Sequence, residues 1–388
     1  MGMFLLCTFL MIILYPLGID LYLVAVPRIA QTLQGSEAQI HTAFSIYLLG
    51  MAATVLPGGM LADRHGRRPV VLGGALIFVV ASLVAAEATG IAQFYLGRFW
   101  QGVGAGALYI MTFTVLRDVL SQARLAMALS LINGVICVIP VLAPVLGYLI
   151  LSHFEWRGIF VGMALVAAIS ALVNLRLLKE TRPARQPAGA SPLALLGTAP
   201  FMLRALLTSA SVTAILVYVS VSPLVLMTTF GLSPEQYTRL MMAMAGVSMS
   251  ASFLTPLLLR WLGKARVLAL SHLAYLLALL ALLCSSGPEG GLPWLLAGCA
   301  LVCIGFSCGF GVAMGEALDV CGDQVASASA LLCIMQIGLS GLFIWGMGHL
   351  GMPALWMLFL ALLLALLGYL VVKVLLPWRA IRRVRARG

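Results

Sequence analysis

Charge is what this sequence has least of. Asp, Glu, Lys and Arg together make up 9% of its 388 residues, against 62% hydrophobic ones, and the mean hydropathy is +1.10. A chain so poor in charge cannot cover its apolar surface with a hydrated shell, so a water-soluble fold is excluded and lipid is its solvent. Histidine is scarce too: His41, His65, His153, His272 and His349 stand apart at loops or helix ends. They form no cluster, and a membrane-embedded enzyme would require paired acids, a histidine cluster or a nucleophile with its base, so the scatter argues against one. No P-loop is present to hold ATP. The eight cysteines show no CxxC or metal-ligand spacing, so they read as small packing residues, and neither a metal nor a cofactor is expected. Hydrophilic stretches are short, apart from one at 179–200. There is little room for a soluble domain.

What the chain does have is apolar runs. Twelve predicted helices fall at 4–26, 39–61, 70–88, 91–115, 124–151 and 157–178, then 201–228, 235–260, 267–285, 293–317, 325–349 and 353–376, each near the length of about 20 residues that a bilayer needs. The first run, Met3 to Val26, is too long for a signal-peptide core and has no basic segment before it, so it reads as a span. A net charge of +11 would suggest nucleic acid in a soluble protein. Here the basic residues sit in short loops, where they encode orientation, and no nucleic-acid partner is expected.

With the N-terminus inside, nineteen Lys and Arg fall on the cytoplasmic side, among them Arg64, Arg67, Arg68, Arg117, Arg176, Lys179, Arg260, Lys264 and the tail arginines from Arg379 onward. Only Arg28, Arg157 and Arg239 fall opposite. That asymmetry puts both termini in the cytoplasm and requires an even number of spans. The expected fold is all-α integral membrane, with twelve transmembrane helices in two six-helix pseudo-symmetric bundles. Residues 1–178 form the first bundle, 179–200 a Pro- and Arg-rich cytoplasmic linker, 201–376 the second bundle, and 377–388 a basic tail. A weak echo supports duplication, because Arg260-Trp-Leu-Gly263-Lys264-Ala-Arg266 follows span 8 as a similar block follows span 2.

That block, Gly59-Met-Leu-Ala62-Asp63-Arg64-His-Gly66-Arg67-Arg68-Pro69, resembles the signature between spans 2 and 3 of the major facilitator superfamily. Gly97-Arg98-Phe-Trp-Gln101-Gly102-Val-Gly104-Ala-Gly106 resembles its span-4 motif with a buried arginine. Ala143-Pro144-Val-Leu-Gly147 looks like a reduced span-5 antiporter motif, and the segment from Tyr15 to Pro27 is similar to Bcr/CflA-type drug exporters. The resemblance covers essentially the whole chain and points to the drug:proton antiporter branch with twelve spans. It implies alternating access, protons and a small lipophilic drug-like compound as the transported partners, a lipid surround and a monomer in a bacterial inner membrane.

Asp20 is the most informative position, since a carboxylate inside a membrane helix persists mainly where it faces a cavity, finds a partner or takes up protons. It lies about six residues from the outer end of span 1, or about 9 Å deep at the helical rise. Arg98 lies at a similar depth in span 4. The pair is therefore expected to couple protons to transport, the acid alternating between a protonated state and an ion-paired or drug-bound one. The second span-1 acid that some antiporters of the branch carry has no equivalent, its place being near Ile12.

Gly59, Asp63, Arg64, Gly66, Arg67, Arg68 and Asp118 are expected to latch the inner side: glycine for a tight turn, arginines paired with helix-end carbonyls or with Asp118, and Asp63 facing a helix N-terminus. Pro140, Pro144 and Gly147, with Gly134, are expected to interrupt and kink span 5 and to admit a close neighbour. Gly102, Gly104 and Gly106 should form a close-packed seam. Tyr22, Tyr109, Met111, Asn133, Tyr218 and Gln336 are the candidate cavity residues, because aromatic, thioether and amide groups suit compounds of varied shape. Glu316, Asp319 and Asp323 read as hydrated or paired with basic loops.

Three readings of function stand at this point: a drug exporter, a proton-coupled importer of a small metabolite on the same fold, and a non-transporting receptor or scaffold. Few charged or amide groups lie in the spans, which favours lipophilic compounds over sugars and dicarboxylates. A fluorescent protein fused after the tail is expected to fluoresce and an alkaline phosphatase fused there to stay inactive; the opposite pair of signals would overturn the inside assignment.

Overall fold

Helices account for almost all of the computed structural model, which describes residues 2–182, 192–285, 291–321 and 325–385. Asp323, most of the expected linker, the side chain of Asn133 and the side chains of the tail arginines lie outside the described residues. The helices are α1 (Gly2–Thr32, in pieces), α2 (Glu37–His65), α3 (Arg67–Ala86), α4 (Ile91–Val119), α5 (Gln122–His153) and α6 (Trp156–Leu177). They continue as α7 (Ala199–Thr229), α8 (Pro234–Leu262), α9 (Lys264–Ser285), α10 (Gly291–Asp319), α11 (Val325–His349) and α12 (Ala354–Arg385). No strand occurs among the described residues. A lipid interior has no water to satisfy open N–H and C=O groups, and only helices bond all of theirs within one segment. Eleven of these helices are long and apolar enough to cross a membrane on their described residues, and α5 contributes the shorter apolar stretch Val138–His153.

Two compact units result. One holds Met1–Pro187 with Ser222–Ala245 and Gly341–Met352; the other holds Ala188–Val221, Gly246–Ser340 and Pro353–Gly388. In the first, α4 packs against both α2 and α3 on glycine. A Cβ on Gly102 would lie 2.0 Å from the carbonyl oxygen of Tyr47, and one on Gly106 2.6 Å from that of Met51, both in α2. Gly104 and Gly97 face α3 instead, where a Cβ would meet the Gly74 carbonyl at 2.6 Å and Ala85 at 2.8 Å. Four-residue spacing thus serves one neighbour and seven-residue spacing the other. In the second unit Gly298 and Gly305, again seven apart, turn α10 toward α9, against Leu282 and Tyr275.

The same local devices recur about two hundred residues along the chain. Ser36 and Gln39 form a reciprocal capping box at the start of α2, with bonds of 2.8 and 3.3 Å, and Ser233 and Gln236 do so at α8, with 2.9 and 3.2 Å. Gly66, at φ +103°, separates α2 from α3, and Gly263, at φ +77°, separates α8 from α9. Both backbones are in the region that glycine adopts at least cost.

Two of the expected helices differ in detail. The run 4–26 is not one regular helix: α1 consists of Gly2–Ile12, Leu14–Asp20, a 3₁₀ turn at Leu23–Ala25 and Val26–Thr32. Pro27 has no N–H to offer the Leu23 carbonyl and its ring crowds that carbonyl, so the chain tightens before it. Pro140 and Pro144, by contrast, do not interrupt α5, which is helical throughout Gln122–His153. Each proline removes one bond from a long ladder whose remaining turns hold. Gly134 has nothing within 4 Å of a would-be Cβ, whereas one on Gly147 would sit 2.2 Å from the Leu21 carbonyl. Gly147 alone of the two admits a neighbour, the unwound part of α1.

Because the atoms facing Gly102 are backbone, they cannot swing aside. Gly102→Val is expected to cost at least about 1–3 kcal/mol, read as a lower thermal unfolding midpoint in detergent. Gly73→Ala, with open space around it in the interior of α3, should not lower the midpoint and should raise it slightly, since alanine is the better helix former.

Candidate functional site

Asp20 closes the piece Leu14–Asp20, immediately before α1 unwinds. It is 8% exposed, and among the described residues no ion pair joins it to Arg98 or to any other base. Tyr22, Tyr47 and Tyr237 lie within electrostatic reach of it.

Arg98 is wholly buried. Its guanidinium lies 4.4 Å from the ring centroid of Tyr22 and 4.5 Å from that of Tyr47, and Nη2 donates to the Gly18 carbonyl at 2.9 Å. Nη1 donates to Oε1 of Gln101, whose amide in turn donates to Ser82 Oγ at 2.8 Å. The Tyr47 hydroxyl donates to the Tyr15 carbonyl at 2.9 Å. A desolvated cation over an aromatic face gains about 2 kcal/mol, and here two faces, a carbonyl and an amide share the charge. Arg98 is therefore held in place without a carboxylate. Gly18 makes this possible, since a Cβ there would lie 2.5 Å from the Tyr47 hydroxyl oxygen. The structure brings the two residues expected to couple protons to adjoining stretches of α1 and α4, sharing Tyr22 but unpaired.

At the signature loop, Arg67 Nη1 reaches Asp63 at 2.5 Å and Nε reaches Asp118 at 2.9 Å, tying the ends of α2, α3 and α4 together. The Arg67 and Asp118 side chains are only 6% and 12% exposed, so this pair is screened far less than a surface one. Arg68 Nη2 donates to the Leu175 carbonyl in the last turn of α6 at 2.6 Å, and Arg182 Nη1 to the Arg64 carbonyl in the last turn of α2 at 2.8 Å. Glu180 caps the opposite polarity: its carboxylate accepts from the N–H groups of Arg67 at 2.8 Å and Arg68 at 3.2 Å, the first turn of α3. Burial pulls its pKa up, but the four backbone donors Arg67, Arg182, Arg68 and Thr181 outweigh that and hold it below the ordinary glutamate value. A Cβ on Gly66 would collide with this carboxylate, so that glycine is required twice over. Gly59 and the Arg64 side chain are not drawn in; a Cβ at Gly59 would meet nothing within 4 Å. The second unit carries a looser counterpart, Lys264 to Asp319 at 3.0 Å, with side chains 61% and 64% exposed.

The cavity candidates are scattered. Tyr22 and Met111 are 1% and 0% exposed, and Tyr109 packs edge-on to Tyr15 and Phe113 at 5.3 and 5.0 Å. In the second unit Tyr218 shares a side-chain hydrogen bond with Cys303 and Gln336 donates toward Met314 Sδ at 3.5 Å. Tyr47, Gln101, Tyr237 and Glu180 were not singled out from sequence. Gln101 lies in the span-4 motif and Glu180 lies three residues past the end of α6 and three before Pro183, which are the signals available; the tyrosines have none.

Residues 8–342 match the family model described as Major Facilitator Superfamily. The chain belongs to the major facilitator superfamily. It is 45% identical over 363 residues to multidrug resistance protein MdtL of Klebsiella pneumoniae (strain 342), covering 92% of this chain and 91% of that one. It is 42% identical over 387 residues to MdtL of Escherichia coli O81 (strain ED1a), covering 98% and 97%. Among solved structures, a mutant of the nucleoside transporter NupG superposes with a TM-score of 0.76 at 15% identity, covering 96% of this chain and 98% of that one. A D-xylose-proton symporter gives 0.74 at 15%, covering 96% and 97%. These two share the superfamily fold. The chain is a multi-pass membrane transporter of this superfamily, not an enzyme.

Since the Glu180 pKa is depressed on folding, its stabilising contribution is present above the unfolded glutamate pKa and is lost as pH falls through the folded value. Glu180→Gln should therefore lower the unfolding midpoint at pH 7, and the gap from wild type should close below pH of about 4. A gap that persists unchanged in acid would remove the carboxylate cap.

Proposed function

We propose that this transporter is a proton-coupled antiporter that exports small lipophilic drugs by alternating access from the bacterial inner membrane. The observation that carries the reading is the pairing of opposites in the first unit: an acid left 8% exposed with no basic partner, next to an arginine sealed at 0%. A sealed cation held by tyrosine faces is a fixed positive potential, whereas a buried carboxylate with no base bound to it in a membrane helix can gain and lose a proton. In this reading Asp20 is the proton carrier and Arg98 positions its charge through Tyr22. A proton and a drug that compete for Asp20 are coupled in opposite directions. One charge crossing 100 mV is worth about 2.3 kcal/mol, enough for about a fifty-fold gradient. The MdtL relatives, named for multidrug resistance, supply the substrate class.

The reading extends to the chain's organisation. Residues 1–178 and 201–376 act as two six-helix halves joined by 179–200, with both termini cytoplasmic, and the protein works as a monomer in lipid. The matched capping boxes, positive-φ glycines and loop ion pairs support the halves. The Arg67 cluster is the inner latch, with Gly59 and Arg64 taking part in another state of the cycle. Gly147 seats α1 beside α5, and the α5 prolines lower the cost of bending. Tyr22, Tyr109, Met111, Asn133, Tyr218 and Gln336 are the residues proposed to meet substrate.

The test uses purified protein in liposomes holding a pH-sensitive dye, with an imposed proton gradient and a panel of lipophilic drugs. Wild type should drain the gradient when drug is added, and Asp20→Asn should fall to the level of empty liposomes while still binding drug. Drug-driven proton flux through Asp20→Asn equal to wild type would sink the assignment, and flux elicited by sugars or organic acids instead of drugs would replace export with import.

A further inference from the structure

The cytoplasmic ends of α3 and α6 carry more positive charge than the latch uses. Arg68 and Arg182 are brought to the ends of α6 and α2 by their bonds to the Leu175 and Arg64 carbonyls. Arg64, Arg176 and Lys179 adjoin them in sequence, and all three side chains belong to exposed residues. Among the described residues, Glu180 is the acid set in this group, and its oxygens are already engaged by four backbone N–H groups. Asp63 and Asp118 are bound to Arg67. Nε of Arg68 is buried without a partner. Arg64, Arg68, Arg176, Lys179 and Arg182 thus outnumber the one carboxylate of this stretch that is not bound to the Arg67 guanidinium, that of Glu180.

What lies beneath them says what balances them. On α6, Leu165, Ile169 and Leu172 are exposed large apolar residues, at 62%, 48% and 49%. Their spacing of four and three puts them on one helical face, and the next step of four on that face is Arg176. Lys179 follows two residues past the end of the helix at Leu177, where the chain has turned extended at Leu178. A stripe that faces acyl chains and ends in one cation, with a second just past the helix end, has the shape of one molecule: an apolar tail along the helix and an anionic headgroup at its end. Free phosphate would use the cations but not the stripe.

We propose that this corner binds the phosphodiester of an anionic phospholipid, held by Arg176 and Lys179 with Arg68 and Arg182 beside them, its acyl chain lying on Leu165, Ile169 and Leu172. The site needs only that α6 spans the bilayer, and it stands whatever the transported compound is.

The full-length protein in mild detergent is titrated with phosphatidylglycerol, phosphatidylcholine or inorganic phosphate, and its thermal unfolding midpoint is read by tryptophan fluorescence. Wild type, Arg176→Gln/Lys179→Gln and Arg260→Gln/Arg266→Gln are compared, the last losing the same charge elsewhere. Phosphatidylglycerol should raise the wild-type midpoint saturably, and the other two additives should not. Its half-saturating concentration should rise about thirty-fold in Arg176→Gln/Lys179→Gln, from the usual attraction per basic residue near a lipid surface, and stay close to wild type in the other pair. Should that double variant not survive purification, Lys179→Ala alone, outside the helix, should show about a five-fold rise. An equal loss in both pairs, an equal response to inorganic phosphate, or no response of wild type to phosphatidylglycerol would overturn the proposal.

Discussion

A bilayer interior donates and accepts no hydrogen bonds, so each polar group placed there must be held by other parts of the protein. Arg98 shows how far that constraint reaches. Its charge is carried by two ring faces, a backbone carbonyl and a glutamine amide, and each of these partners has requirements of its own. The carbonyl must come from Gly18, because any side chain there would displace Tyr47. The amide must itself be anchored, which Ser82 of α3 does at 2.8 Å. One buried cation thereby ties α1, α2, α3 and α4 into a single arrangement, and it leaves the neighbouring Asp20 without a basic partner.

That arrangement in turn depends on helices approaching more closely than side chains allow. The approach is made by glycine on α4, with Gly102 and Gly106 turned to α2 and Gly97 and Gly104 to α3. In lipid there is no hydrophobic force to press helices together, so association rests on close packing and on shared polar contacts. The broken α1 belongs to the same economy of contacts. Where it unwinds at Leu21, its carbonyl meets Gly147 of α5, and the irregular backbone is buried in protein as the membrane demands.

At the signature loop the constraint is met by exchange between helix ends. Arg182 serves the last turn of α2, Arg68 the last turn of α6, and Glu180 the first turn of α3. Charges of each sign stand where the helix dipole favours them. The counterpart in the second unit has a single exposed pair, Lys264 and Asp319; exposed pairs are worth about 0–1 kcal/mol, so the firmer hold belongs to the first unit.

Charge scarcity alone made the membrane class legible, and period, loop charge and the Gly59 to Pro69 block carried the reading to twelve helices and a superfamily. Asp20, Arg98, Arg67 and Asp118 could be picked out because an ionised group is rare and costly in or beside an apolar run. Tyr47 and Tyr237 could not, and Gln101 and Glu180 only faintly, since a tyrosine or a glutamine among apolar residues, or a glutamate in a polar loop, has many harmless places to sit. Their roles come from partners 113 positions away for Glu180 and Arg67, or 19 for Gln101 and Ser82. Spacing along one chain says which residues share a helix face. Which face meets which is settled by packing, and packing decided that Arg98 would rest on tyrosines while Asp20 went unpaired.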